Sequence, residues 1–272
     1  MTSKPNIYVL EHGDGTLRTL DWLSWRTVAN SAAYLQPYIQ PEMSILDVGC
    51  GPGSISVDMG RHVPKGRVVG MDSSPDLISE GRAFAIQQGV TNVEFQVGDV
   101  HALDFPDNTF DIVHAHQVLQ HVADPIQGLR EMKRVTKPGG IIAVREGTDI
   151  SYYPELSAMG TSWSLFATMA RLKGGNPYAG KKIHVWAREV GFERSSVTCS
   201  ASAWCFSTPE EREYWGVSMT TMLSGFGPKA VEMGLISQQD LKDYEESWKE
   251  WIKSEDGWFS LYHGEMLCRK DS

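Results

Sequence analysis

A chain of 272 residues with 41% hydrophobic and 22% charged residues has the size and balance of one large α/β domain with additions, or of two small globular domains. A formal net charge of −9 without any basic stripe argues against a nucleic-acid groove, because phosphate contacts need clustered Lys and Arg. There is no apolar run of membrane-spanning length, the N-terminal stretch MTSKPNIYVLEHGDG lacks the basic-then-apolar order of a secretion signal, and the four cysteines (Cys50, Cys199, Cys205, Cys268) form neither a C-x-x-C pair nor a zinc spacing, so a cytoplasmic chain with free thiols and no metal is expected.

In chain order, residues 1–16 are polar and glycine-containing and read as an arm or lid. Thr19 to Tyr38 carries Leu20, Leu23, Val28, Ala32 and Leu35 at helical steps, which predicts a cover helix ended by Pro37 and Pro41. Tyr8, Trp25 or Arg26 on this arm could close over a ligand. Ile45, Leu46 and Val48 fit a short buried strand, with Asp47 near its end. Gly49, Gly51 and Gly53 follow at every second position around Cys50, and Ser54 to Arg61 reads as a helix whose N-terminus faces this loop. A dinucleotide fingerprint, G-x-G-x-x-G, needs glycine at position 54, where this chain has serine. A second strand, GRVVGM, ends in Asp72, about twenty residues past the loop, the spacing of an acid that accepts both hydroxyls of a ribose. Ser73, Ser74 and Pro75 can cap the next helix without it, and Gly89 stops that helix.

Val93 to Val97 predicts a third strand, followed by Gly98, Asp99 and Val100. Phe110 to Ala115 predicts a fourth, with His114 inside it and His116, Gln117 and His121 after its C-terminal edge. A helix from Asp124-Pro125, a turn at Lys137 to Gly140 and a fifth strand at Ile141 to Val144 complete a strand–helix alternation that predicts a parallel, doubly wound sheet. The acid-x-G-x-G-x-G loop, Asp72, the Gly98-Asp99 pair and the FDIV…LQHV…P…KPGG run together resemble class I S-adenosylmethionine-dependent methyltransferases, and residues 43–146 are similar to the domain of the UbiE-like, quinone-biosynthesis enzymes.

That resemblance implies a Rossmann-like, mostly parallel seven-stranded sheet completed by two late strands, the last of them antiparallel. It implies S-adenosyl-L-methionine as cofactor and S-adenosyl-L-homocysteine as product. The residues expected at the cofactor are Asp47, Gly49, Cys50, Gly51, Gly53, Asp72, Ser73, Gly98, Asp99, Val100, His116 and Gln117, with Tyr8 and Arg26 from the arm; Asp99 matches the family's acid for the adenine amino group. The Leu119-Gln120-His121 sequence departs from the family's apolar-His-His pattern.

Beyond residue 150 the composition changes, and seven of the nine tryptophans lie there. Helical stretches are predicted at 155–172, 183–189 and 209–250, the last interrupted at Gly225-Phe226-Gly227-Pro228, with strands at 195–203 and from Trp258 to Cys268. The organisation expected is an arm and cover helix (1–42), a cofactor-binding core (43–150) and helical cap insertions with the last strands of the same sheet (151–272), in a single domain. Trp163, Phe166 and Met169 share one helical stripe and are candidates for an apolar acceptor site. Methyl transfer to an O-, C- or N-nucleophile of a largely apolar small molecule, such as a quinone or secondary metabolite, is the expected activity. His116, with His121 second, is the candidate proton acceptor. The expected partner is a small-molecule acceptor rather than nucleic acid or membrane, and a homodimer is compatible with the sequence. A non-methylating, pericyclase-like protein of this fold and an NAD-dependent oxidoreductase are the alternatives; Ser54 and the lack of a Tyr-x-x-x-Lys pair weigh against the latter.

Overall fold

The computed structural model describes residues 25–271. Seven strands form one sheet in the order β3-β2-β1-β4-β5-β7-β6. They are β1 (Ser44–Val48), β2 (Arg67–Asp72), β3 (Val93–Val97), β4 (Phe110–His116), β5 (Thr136–Tyr153), β6 (Val197–Phe206) and β7 (Trp258–Arg269). The first five pair in parallel, and β7 runs antiparallel to both neighbours. The helices are α1 (Val28–Ser31), α2 (Ser54–His62), α3 (Pro75–Gln87), α4 (Pro125–Val135), α5 (Ser157–Leu172), α6 (Ile183–Glu189), α7 (Pro209–Glu232) and α8 (Gln238–Lys253). This is the Rossmann-like, doubly wound sheet with its last strand antiparallel that the sequence pattern predicts. No helix among the described residues is long and apolar enough to cross a membrane.

The two faces of the sheet bury different sets of side chains, as a period of two requires. Leu46, Val48, Val113, Ala115, Ile142 and Val144 face α4 and α6. Ile45, Ile112, Ile141 and Ala143 face α1 and α2. A third core lies over the carboxyl end, where α5, α7 and α8 pack on one another and on β6 and β7 through Trp215, Trp248, Trp251 and Phe259.

Four element predictions need correction. The cover helix shrinks, within the described residues, to the single turn of α1 and a 3₁₀ turn at Gln36–Tyr38. Thr27 and Asn30 form a reciprocal capping box that starts α1 late, and Pro37 sits inside the 3₁₀ turn. β5 is far longer than Ile141–Val144, because its outer half continues pairing with β7 up to Tyr153↔Trp258. β6 begins and ends later than 195–203, in register with β7 from Val197↔Cys268 to Phe206↔Phe259. Finally, α7 runs unbroken through Gly225–Pro228. Two of its three glycines mark close packing rather than breaks. A Cβ on Gly227 would stand 2.5 Å from the Leu241 side chain, and one on Gly216 2.3 Å from Ile252, so both let α8 approach.

Candidate active site

The site starts at the end of β1. Asp47 is buried, and its carboxylate is held on both sides: His114 Nδ1 lies 2.7 Å from Oδ1, and Ser56 Oγ on α2 donates to Oδ2. The acid thereby ties the strand end to β4 and to the helix behind the glycine loop. The loop takes left-handed backbone at all three glycines, φ +63° at Gly49, +55° at Gly51 and +80° at Gly53. A Cβ at Gly49 would stand 2.5 Å from the Val118 side chain, so the loop after β4 closes directly over the glycine loop.

Asp72, at the end of β2, accepts from Gly51 N–H at 3.0 Å through one oxygen and from Ser74 N–H at 3.0 Å through the other. Ser74 is the true cap of α3. Burial raises the Asp72 pKa above its ordinary value, and these backbone donors oppose that rise. Each carboxylate oxygen has two lone pairs, and Asp72 lines the cavity. The neighbouring Ser73 Oγ is buried without a partner among the described residues.

The loop after β4 is held from below by Glu146 on β5. This fully buried carboxylate accepts from the N–H groups of Val118 (3.0 Å), Leu119 (2.8 Å) and Gln120 (3.2 Å). Burial pushes its pKa up to about 8 against the pull of those three donors. Gln117 opens the loop with φ +54°, uncommon for a residue with a side chain. Its Oε1 accepts from Arg26 Nη2 at 2.9 Å, which turns its Nε2 toward His263 Nε2 at 3.1 Å.

One cavity joins these parts. Asp47, Gly49, Cys50, Gly51, Asp72 and Ser73 line it on the β1–β2 side, with Gly98 and Val100 from the segment after β3. Arg26, His116, Gln117 and His121 line its middle, and Trp163 and Phe166 its cap wall. Three expected residues lie elsewhere. Gly53 caps α2, where a Cβ would meet the Phe95 ring at 2.5 Å, so it serves packing of α2 on β3. The Asp99 carboxylate turns to His101, accepting from its backbone N–H at 2.9 Å and lying 2.7 Å from its Nδ1. Met169 is buried in the cap's own core with Trp248 and Leu223, off the cavity. Tyr8 lies outside the described residues.

His116 is 6% exposed, and neither ring nitrogen has a partner among the described residues. Burial first, then Arg145, Arg26, His263 and His114, hold its pKa well below the ordinary imidazole value. It pairs in register with Arg145 on β5, which in turn lies opposite Glu265 on β7. Arg145 Nε donates to Ser202 at 3.0 Å and stands 3.4 Å from Glu265. Burial lowers Arg26 to about 9 and Arg145 to about 10, so both stay charged at neutral pH. His121 is likewise pushed down to about 4 by burial and Arg26.

Several lining residues escaped the sequence reading. Trp215, Met219 and Met222 present themselves from α7, and Trp204 and Leu261 from β6 and β7. The spacing of the three α7 residues, i, i+4 and i+7, is the one signal that could have found them. Glu146 was readable only as a charge closing the apolar run IIAV.

A seven-stranded sheet of this order, with a glycine cradle, a buried acid after β2 and an apolar cap over the carboxyl edge, defines a class I methyltransferase. The residues fit S-adenosylmethionine: the cradle leaves no room for a Cβ at Gly49, Asp72 has acceptor capacity for ribose hydroxyls, and Met71 and Val100 add apolar lining. Residues 39–208 match the family model described as "Methyltransferase domain", and the chain belongs to that family. It is therefore an S-adenosylmethionine-dependent enzyme rather than an NAD-dependent oxidoreductase.

The chain is 33% identical over 258 residues to an uncharacterized methyltransferase of Schizosaccharomyces pombe, covering 91% of this chain and 92% of that one. It is 41% identical over 106 residues to the demethylmenaquinone methyltransferase of Listeria monocytogenes, covering 39% of this chain and 45% of that enzyme. Its fold is similar to the crystal structure of a Bacillus halodurans methyltransferase, with a TM-score of 0.59 at 20% identity, covering 88% of this chain and 98% of that one.

Proposed function

We propose that the enzyme methylates a largely apolar small molecule held between the glycine loop and the α5–α7 cap. The observation that carries this reading is the single cavity that joins Asp72 and Gly51 to Trp163, Phe166, Trp215 and Met219. The quinone-type acceptor implied by the core resemblance falls in this class, as does an uncharged aromatic or polyketide-like compound. The match to the quinone enzyme stops at the core, whereas the acceptor walls come from the cap.

When bound, the cofactor supplies a methyl group on a positive sulfonium, already activated for in-line displacement. The chain's own residues position two partners and exclude water. Asp72 and Ser73 would receive the ribose hydroxyls, the glycine loop would hold the cofactor, and Arg26 and Gln117 line the middle of the cavity between loop and cap. His116 is the candidate proton acceptor; burial and the neighbouring Arg145 and Arg26 hold its pKa low, which keeps the ring neutral at pH 7 and makes it a weak base. Calorimetric titration tests the cofactor half: S-adenosylhomocysteine binds and NAD does not. Screening apolar hydroxylated or quinol compounds for methyl transfer tests the acceptor half. Turnover confined to phosphorylated or polycationic acceptors overturns it.

A further inference from the structure

Resting on that reading of the cavity, we infer that Arg26 is a carboxylate-binding subsite, and that the carboxylate arrives with a ligand, on the cofactor's amino-acid tail or on the acceptor. Arg26 lines the cavity between the glycine loop and the cap.

The guanidinium is held ready. The Trp25 ring packs against Trp204, Phe206 and Tyr214, with centroids 4.8, 5.7 and 6.4 Å apart. Thr27 starts α1 through its capping box, so the chain is anchored on both sides of Arg26. The guanidinium carbon stands 4.9 Å from the centre of the Trp204 ring. Nη2 donates to Gln117 Oε1 at 2.9 Å. Among the described residues, Nε is buried without a partner and Nη1 donates to nothing.

The subsite lacks an anion. A neutral amide oxygen answers one N–H but not the charge, and a cation drawn out of water without a counter-charge is costly. No acid among the described residues acts on this charge; burial, Tyr214 and Arg145 are the influences on it. The acids of the region are engaged elsewhere. Asp47 is held by His114 and Ser56, and Glu146 by three backbone N–H groups. Glu265 faces Ser200, Ser202 and Arg145, so the second buried arginine has a counter-charge and Arg26 has none. Asp72 accepts from Gly51 and Ser74 at the loop end. The positive field of Arg26 reaches His116, His121 and His263, and helps hold all three imidazoles down. One uncancelled guanidinium calls for one negative charge. Its planar fork matches a carboxylate, whereas a phosphate dianion brings more charge than it offsets.

The experiment uses the full-length protein and two pairs of probes. The first pair is S-adenosylhomocysteine and its decarboxylated analogue, which keeps the amine, both read by calorimetry. The second is naphthoate and naphthamide, alike in shape, read by tryptophan quenching at saturating S-adenosylhomocysteine. The carboxylate member of at least one pair should bind about tenfold tighter or more, the scale of a charge-assisted hydrogen bond. In Arg26→Met that preference should vanish, while the affinity of the uncharged or decarboxylated member and the melting temperature hold. A preference in the first pair alone assigns the subsite to the cofactor's tail; in the second alone, to the acceptor; in both, to the two ligands together. No carboxylate preference in either pair, or one that survives Arg26→Met, overturns the inference. Should Arg26→Met fail to fold, Arg26→Gln takes its place with the same expectation. If neither member of the first pair binds at all, the cofactor reading falls separately, and the second pair, titrated into the free protein, still decides the role of Arg26.

Discussion

The two sides of the cavity are built on opposite principles. On the core side, carboxylates accept directed bonds: Asp72 from Gly51 N–H, Glu146 from three successive N–H groups, Asp47 from the Ser56 hydroxyl on the helix behind the loop. On the cap side the lining is aromatic and thioether surface, with few directional contacts. Directional bonds fix a ligand's atoms within a narrow geometry, whereas apolar area fixes only its size and shape. The core can therefore recognise one cofactor while the cap is free to differ between relatives that share the core.

This contrast can be broken most severely at the cradle. Gly51→Val places a β-branched side chain at φ +55° beside Asp72, so cofactor binding should be abolished while the fold remains. Calorimetry alongside circular dichroism reads both, and normal methyl transfer by this variant would detach the loop from the ligand.

A paired substitution in the cap comes next. Met169→Ala opens a cavity in the cap core and should cost about 2–4 kcal/mol of stability with little change in acceptor affinity. Trp163→Ala, on the cavity wall, should do the reverse, weakening acceptor binding at saturating cofactor by about 1–2 kcal/mol. Identical profiles for the two variants would erase the distinction between wall and core.

Asp72→Ala should weaken S-adenosylmethionine by about 2–3 kcal/mol, the scale of charge-assisted hydrogen bonds, and also loosen the Gly51 turn. An unchanged dissociation constant leaves Asp72 as a loop anchor alone.

A further effect concerns pH. Glu146 has a folded pKa of about 8, raised from 4.5. Between those values the folded state holds a proton that the unfolded state has lost, so the stability this group contributes is complete at acid pH and declines as pH rises toward 8. With one proton held by the folded state alone, the decline approaches about 1.4 kcal/mol per pH unit in the middle of that window. Urea titrations from pH 5 to 8 should show it in the wild type and not in Glu146→Gln; parallel curves would remove Glu146 as the cause.

The same contrast explains what was legible in the sequence. The core announces itself because glycines at fixed steps and acids at strand ends are demanded by local geometry. Residue pattern and the family resemblance it carries named Asp47, Gly49, Gly51, Asp72 and His116, and these five line one cavity. The cap obeys tertiary packing instead. Gly225-Phe226-Gly227-Pro228 reads as a break by local propensity, yet α7 continues through it because Gly227 makes room for Leu241. Met169 shares its helical stripe with Trp163 and Phe166, and helical spacing cannot say which side of a cap helix meets the cavity and which meets α8. Trp204 and Leu261 reach the site only through strand pairings between distant segments, which no local pattern encodes.

The order β5-β7-β6 sets a timetable for synthesis. β6 pairs only with β7, yet residues 207–257 leave the ribosome between them. The five parallel strands and the glycine cradle are synthesised before β6 emerges. β6 must wait as an unpaired edge until the last strand slides between it and β5. Only then do Trp204 and Leu261 arrive together. The strands and glycine loop of the methyl-donor half therefore precede in the chain the two strands that bring Trp204 and Leu261 to the acceptor side.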